Sequence, residues 1–186
     1  MSSMISHAGF SQLVLVDLQS RLFAAMPESE RVASIKTACV LSQAAAELDI
    51  PVLLTEQYPK GLGHTEPEVA GKLPPNAHRF EKTGFSCCAA KGFSQALKST
   101  ERRQIVLVGQ ETHVCVLQTA FDLLDAGFQV FVAEDGVCSR KPDHKLNALN
   151  RMARDGVIIT NVESVLFEWL GDAAHPRFKD LSSLIR

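Results

Sequence analysis

Ile105-Val106-Leu107-Val108-Gly109-Gln110-Glu111-Thr112-His113-Val114-Cys115-Val116-Leu117-Gln118-Thr119-Ala120 is the stretch that decides the fold. Its first four residues form a short continuous apolar run, as expected of a strand covered on both faces. Val114 to Ala126 then continues at helical spacing to a stop at Gly127. A buried strand feeding directly into a helix is half of a βαβ unit. Thr112 is placed to cap the helix N-terminus, which puts Cys115 in the first turn. Unpaired N–H groups and the positive end of the helix dipole there predict a thiol pKa below its free value of about 8.5. Taken alone, Cys115 fits core packing at least as readily, because cysteine is among the most buried residue types.

The same alternation extends in both directions. Buried-type strands are predicted at 12–16, 52–55, 78–80, 105–108, 129–133 and 157–160. Helices are predicted at 28–48, 90–99, 114–126, 142–154 and 162–170, with Pro51 restarting the chain as a strand and Thr160 and Glu163 in capping-box spacing. Single strands alternating with helices predict an α/β fold, a mostly parallel sheet sandwiched between two helical layers. The one long irregular stretch, 56–77, contains Gly61, Gly63, Gly71, Pro74 and Pro75, and a loop of that size reads as a functional rim.

The chain has 186 residues, 46% of them hydrophobic, enough for one domain spanning 1–186. A formal net charge of -2 with no basic block argues against nucleic acid or anionic membrane as a partner and leaves small molecules as the expected ligands. The N-terminus lacks the pattern of a secretory signal, and no apolar run reaches the length of about 18 residues that a membrane span needs, so a cytoplasmic protein is expected. Five cysteines without regular spacing predict reduced thiols rather than a disulfide framework.

Ligands of open α/β sheets sit outside the carboxyl ends of the strands, near the point where strand order reverses. Asp17, Lys82 and Cys115 each follow a predicted strand, so all three emerge on that rim as a possible base, cation and nucleophile. Each has an ordinary alternative: Asp17 as a helix cap or turn residue, Lys82 as a solvated lysine, Cys115 as core. Cys138 also follows a strand and is the second candidate nucleophile, although it lacks a helix start. Cys39, Cys87 and Cys88 read as core or helix thiols, and His113 as a helix-start residue.

Asp17-Leu18-Gln19, Lys82-Thr83 before a helix, and Gly109-x-x-Thr112-x-x-Cys115-Val116-x-x-Thr119-Ala120, in that order, resemble the isochorismatase-like superfamily of cysteine hydrolases over roughly 11–186. The branch most resembled is that of the isochorismatase domain-containing proteins, through Thr55-Glu56-Gln57-Tyr58-Pro59-Lys60-Gly61-Leu62-Gly63 and Gly171 to Lys179. The resemblance implies a six-stranded sheet of order 3-2-1-4-5-6, which sets strands one and four side by side. It also implies that Cys115 attacks an electrophilic carbonyl to form a thioester-type intermediate, with Asp17 taking and returning the proton and Lys82 keeping both groups charged. Oxyanion donors come, by resemblance, from backbone N–H groups at the nucleophile and in the turn before it. A non-proline cis peptide belongs to that turn and falls between Gln110 and Glu111. Gln19, Phe23, Tyr58 and Phe85 are pocket-lining candidates on the same basis.

Nicotinamidases of the superfamily carry an Asp-x-His pattern after strand two, where this chain has Thr55-Glu56-Gln57-Tyr58. Glu56 with His64 leaves a two-ligand remnant, short of the three protein ligands a zinc or iron site normally has, so no metal or other cofactor is expected. The implied activity is metal-independent hydrolysis of a small amide, carbamoyl or related carbon–nitrogen substrate. The alternatives are a nicotinamidase, a non-catalytic binding protein on the same scaffold, and isochorismate vinyl-ether hydrolysis, whose relatives usually lack the cysteine. Relatives usually self-associate, which makes a homo-oligomer the expected state and the segment 175–186 a candidate contact arm.

Overall fold

A computed structural model describes residues 4–186 of the chain. Six strands, β1 (Ser11–Val16), β2 (Val52–Gln57), β3 (His78–Lys82), β4 (Gln104–Gln110), β5 (Gln129–Cys138) and β6 (Ile158–Thr160), form one sheet of order β3-β2-β1-β4-β5-β6. Every neighbouring pair is parallel, as the predicted α/β sandwich requires. The helices are α1 (Ser20–Phe23), α2 (Glu28–Glu47), α3 (Pro59–Leu62), α4 (Pro67–Ala70), α5 (Phe93–Ser99), α6 (Leu117–Asp125), α7 (Pro142–Arg154), α8 (Val162–Leu170) and α9 (Phe178–Ser182).

Strand periodicity divides the core in two. Leu13 and Leu15 point to the layer built from α2, α8 and α9, where Ile35, Ala38, Val165, Trp169 and Leu181 are buried. Val14 and Val16 point to the opposite layer of α5, α6 and α7, with Phe93, Leu97, Val116, Ala120, Leu149 and Met152. Trp169 Nε1 donates to Ser11 Oγ at 3.1 Å and ties α8 to the start of β1. None of the described helices is long and apolar enough to cross a membrane.

Several local expectations change. β5 runs past the predicted end at 133 to Cys138, because Ser34 and Thr37 of α2 donate to the carbonyls of Gly136 and Asp135. A Cβ on Gly136 would lie 2.6 Å from both Thr37 Cγ2 and Val108 Cγ1, so only glycine permits that approach of α2 to the sheet. The cap of α8 is Asn161, whose side chain accepts from Ser164 N–H at 2.8 Å, while Thr160 ends β6 instead of capping. The stretch 56–77 is less irregular than expected, being folded into α3 and α4 and pinned by a bridge between Gln19 and Thr65. The C-terminal segment packs on its own chain: Leu181 is buried, and Phe178, Leu184 and Ile185 lie against the same core.

Candidate active site

β1 and β4 are adjacent at the point where the sheet order reverses, and their carboxyl ends carry the site. Val16 is in register with Thr55 of β2 on one side and Gly109 of β4 on the other. Gly109 has φ 129°, and a Cβ there would collide with the backbone of Val16, so glycine is required for the two strands to stay paired this close to the site. Asp17 follows with φ 49°, a left-handed turn that takes the chain off the sheet and leaves the carboxyl fully buried.

The carboxyl has a defined partner on each oxygen. Lys82 Nζ donates to Oδ2 at 2.6 Å and Thr55 Oγ1 donates to Oδ1 at 2.7 Å. Neither side chain of the Asp17–Lys82 pair is exposed, at 0% each. Lys82 reaches inward from the last position of β3, paired in register with Gln57. Its ammonium also donates to Gln57 Oε1 at 2.7 Å, Phe85 O at 2.8 Å and, more weakly, Gly84 O at 3.3 Å, which satisfies a buried cation as its desolvation demands.

Cys115 meets this pair from the β4 side, 7% exposed and near enough for the charges of Asp17 and Lys82 to act on its thiol. Its local structure departs from the predicted α-helix N-terminus. Thr112–Val116 form a π-helical turn before α6, Glu111 occupies the cap position, and the N–H groups of Val114 and Val116 both donate to Glu111 O. Thr112 does not cap: its hydroxyl is buried with no hydrogen-bond partner among the described residues. The predicted low thiol pKa is also corrected. Burial, and next the negative charge of Asp17, push the Cys115 thiol up to about 12, and the nearby Lys82 only partly opposes them. At neutral pH the Cys115 sulfur is therefore a thiol.

The peptide bond between Gln110 and Glu111 is cis, where the resemblance placed it. Gln110 is fully buried, its amide donating to Asp17 O at 3.0 Å. Glu111 pairs with Arg140, accepting from both its side-chain Nε and its backbone N–H at 3.1 Å. Tyr58 and Phe85 are exposed beside the site, each at 54%. Tyr58, Lys82, Thr83 and Ala89 line an adjoining groove of about 370 Å³ with Pro59, Lys60 and Glu81. Gln19 and Phe23 do not line that groove. Gln19 is fully buried, with its amide donating to Gln57 O and Gly63 O and accepting from Gln57 N–H. Phe23 is sealed in the core beside Leu13 and Leu18.

Cys138 is fully buried in that same core, and burial pushes its thiol up to about 12. Cys87, read from sequence as a core thiol, lies against the site, its Sγ 3.3 Å from Thr55 Oγ1. Burial and then Asp17 push it up to about 12 as well. His113 turns away to Ser139, with Nδ1 to Oγ at 3.0 Å, and its ring lies 4.8 Å from that of His144. Burial lowers the His113 pKa. Of the two-residue metal remnant, Glu56 Oε2 meets His64 Nδ1 at 3.0 Å, but Oε1 accepts from Thr65 N–H and Oγ1 and faces Arg79 at 3.6 Å. Although burial pushes Glu56 up, these hydrogen bonds and the Arg79 charge hold its carboxyl below the ordinary value. No group of three or more His, Cys, Asp or Glu poised for a metal ion occurs among the described residues.

Residues 11–164 match the model of the isochorismatase domain family. Isochorismatase domain-containing protein 2 of Xenopus laevis is 38% identical over 175 residues, 94% of this chain and 83% of that protein. Isochorismatase domain-containing protein 1 of Salmo salar is 43% identical over 146 residues, covering 78% of this chain but 51% of that protein, so the chain spans about half its length. Among solved structures, one described as the MAR1 ribonuclease of Caenorhabditis elegans superposes with a TM-score of 0.92 at 38% identity, covering 97% of this chain and 92% of that one.

Proposed function

Since the chain belongs to the isochorismatase domain family, we propose that it is a cysteine hydrolase of small amide, carbamoyl or related carbon–nitrogen substrates. The observation that carries this reading is the meeting of Cys115 from the π turn after β4, Asp17 from just past β1 and Lys82 from the last position of β3 around one thiol. In the first half-reaction the Cys115 sulfur attacks the carbonyl carbon while its proton passes to Asp17. Backbone N–H groups at the nucleophile and in the turn before it receive the oxyanion. Asp17 then gives the proton to the departing amine, leaving a thioester. In the second, Asp17 takes a proton from water as it attacks the thioester, and the thiol leaves with that proton. Lys82 keeps Asp17 oriented throughout by donating to Oδ2.

The scheme requires no resting thiolate, because the proton moves to Asp17 as the sulfur attacks. The scheme is metal-independent, since Glu56 is already committed to Thr65, His64 and Arg79. Homo-oligomerisation is part of the same proposal, and light scattering reads it.

The test is a screen of small amides and carbamoyl compounds, nicotinamide included, with wild type and Cys115→Ala. Turnover by wild type alone, unchanged by a chelator, is expected; equal turnover by both proteins refutes the role of Cys115. RNA belongs in the screen because of the name borne by the C. elegans relative, although the net charge of -2 and the absence of a basic block weigh against a polyanion.

A further inference from the structure

We propose that Thr55 and Cys87 are positioning residues, forming a one-way hydrogen-bond relay that fixes the Asp17 carboxylate for proton transfer. Counting donors fixes the direction. Thr55 has one hydroxyl proton, and Asp17 Oδ1, 2.7 Å away, can only accept it. Cys87 Sγ, 3.3 Å from the same hydroxyl oxygen, is then left to donate its own S–H to Thr55. The chain therefore runs from Cys87 through Thr55 to Asp17, with every proton pointing at the carboxylate.

Cys87 is itself held in place by its backbone N–H, which donates to Thr119 Oγ1 of α6 at 2.9 Å. The same Thr55 fixes Asp17 through the backbone, as Asp17 N–H donates to Thr55 O at 3.1 Å. With Thr55 on Oδ1 and Lys82 on Oδ2, the carboxylate cannot rotate without losing a charge-assisted bond. Its remaining lone pairs are what Cys115, and later water, must use. The titratable groups against Asp17 are Lys82 from β3, Cys115 from the π turn and Cys87 from the 3₁₀ turn Cys87–Ala89.

The relay rests on the proposed hydrolase reading, and the experiment separates their failures. The enzyme is pulsed with p-nitrophenyl acetate, and the first-order loss of the Cys115 acetyl group is followed by intact mass in wild type, Asp17→Asn, Thr55→Val, Thr55→Ser and Cys87→Ala. Thr55→Val conserves shape but deletes the hydroxyl, and a slowing of deacylation of about tenfold is expected for losing a bond to a charged group. A bond donated to a carboxylate favours its ionised form, so the acid limb of the rate profile also moves to higher pH. Thr55→Ser restores both, and Cys87→Ala, which removes a weak donor, slows deacylation by about twofold to fivefold.

Thr55→Val within twofold of wild type, or Thr55→Ser no better than Thr55→Val, overturns the relay while slow Asp17→Asn deacylation keeps the hydrolase reading. Wild-type deacylation in Asp17→Asn overturns the reading itself. Should Thr55→Val not fold, the Thr55→Ser and Cys87→Ala rates decide: a Cys87→Ala rate equal to wild type removes Cys87 from the relay.

Discussion

Lys82→Met strands a buried carboxylate, and its cost follows from the geometry. At an effective dielectric of about 20, unit charges 2.6 Å apart attract by about 6 kcal/mol, most of which offsets the desolvation of two groups that are both 0% exposed. Methionine keeps most of the stem but removes the ammonium, and with it the donor to Asp17 Oδ2, Gln57 Oε1 and Phe85 O. Stranding one member of such a pair costs about 3–5 kcal/mol. Urea unfolding at pH 7, followed by two probes, should show that loss, and a fall in Tm of about 10 °C should accompany it. Protonating the stranded carboxyl removes its charge, so the deficit shrinks as the pH is lowered. Asp17→Asn combined with Lys82→Met has no buried charge to strand and should recover half or more of the loss. A single variant within about 1 kcal/mol of wild type, or a double variant no more stable than the single, would refute the reasoning.

Asp17→Asn removes the largest electrostatic cause of the raised Cys115 pKa and leaves Lys82 in place, so thiolate absorbance should appear well below pH 12. A titration unchanged from wild type would contradict that assignment. Gly109→Ala drives a Cβ into the Val16 backbone and should destabilise by about 3 kcal/mol or more in chemical denaturation, with little folded protein recovered. Arg140→Ala breaks the pair with Glu111, but Arg140 is 60% exposed, so the expected stability change is under about 1 kcal/mol in the same assay.

The sheet was legible because β1, β4 and the first half of β5 are nearly pure apolar runs, and burial on both faces of a parallel sheet demands such runs. Edges failed where polarity and burial part company. β2 continues through Glu56 and Gln57, and β3 through Glu81 and Lys82, because their polar side chains turn inward or lie at the rim. Asp17, Lys82 and Cys115 could be placed on one rim because each lies at or after the end of a strand. Thr55 and Gln57 could not be tied to them, although two polar residues two apart at the end of a buried strand were a usable sign of one shared face. Cys87 gave no local signal, since its meeting with Thr55 depends on a long-range approach. The thiol's raised pKa was likewise invisible: a helix dipole can be read from a cap pattern, but desolvation and the Asp17 charge require the fold.

The most direct measurement is the site of acylation by p-nitrophenyl acetate, mapped by peptide mass spectrometry in wild type, Cys115→Ala and Asp17→Asn. The account predicts an acetyl group on Cys115 that vanishes in Cys115→Ala and outlives the wild-type adduct by about a hundredfold or more in Asp17→Asn, where water has no base. Label undiminished in Cys115→Ala, carried by Cys88 or a surface lysine, would contradict it.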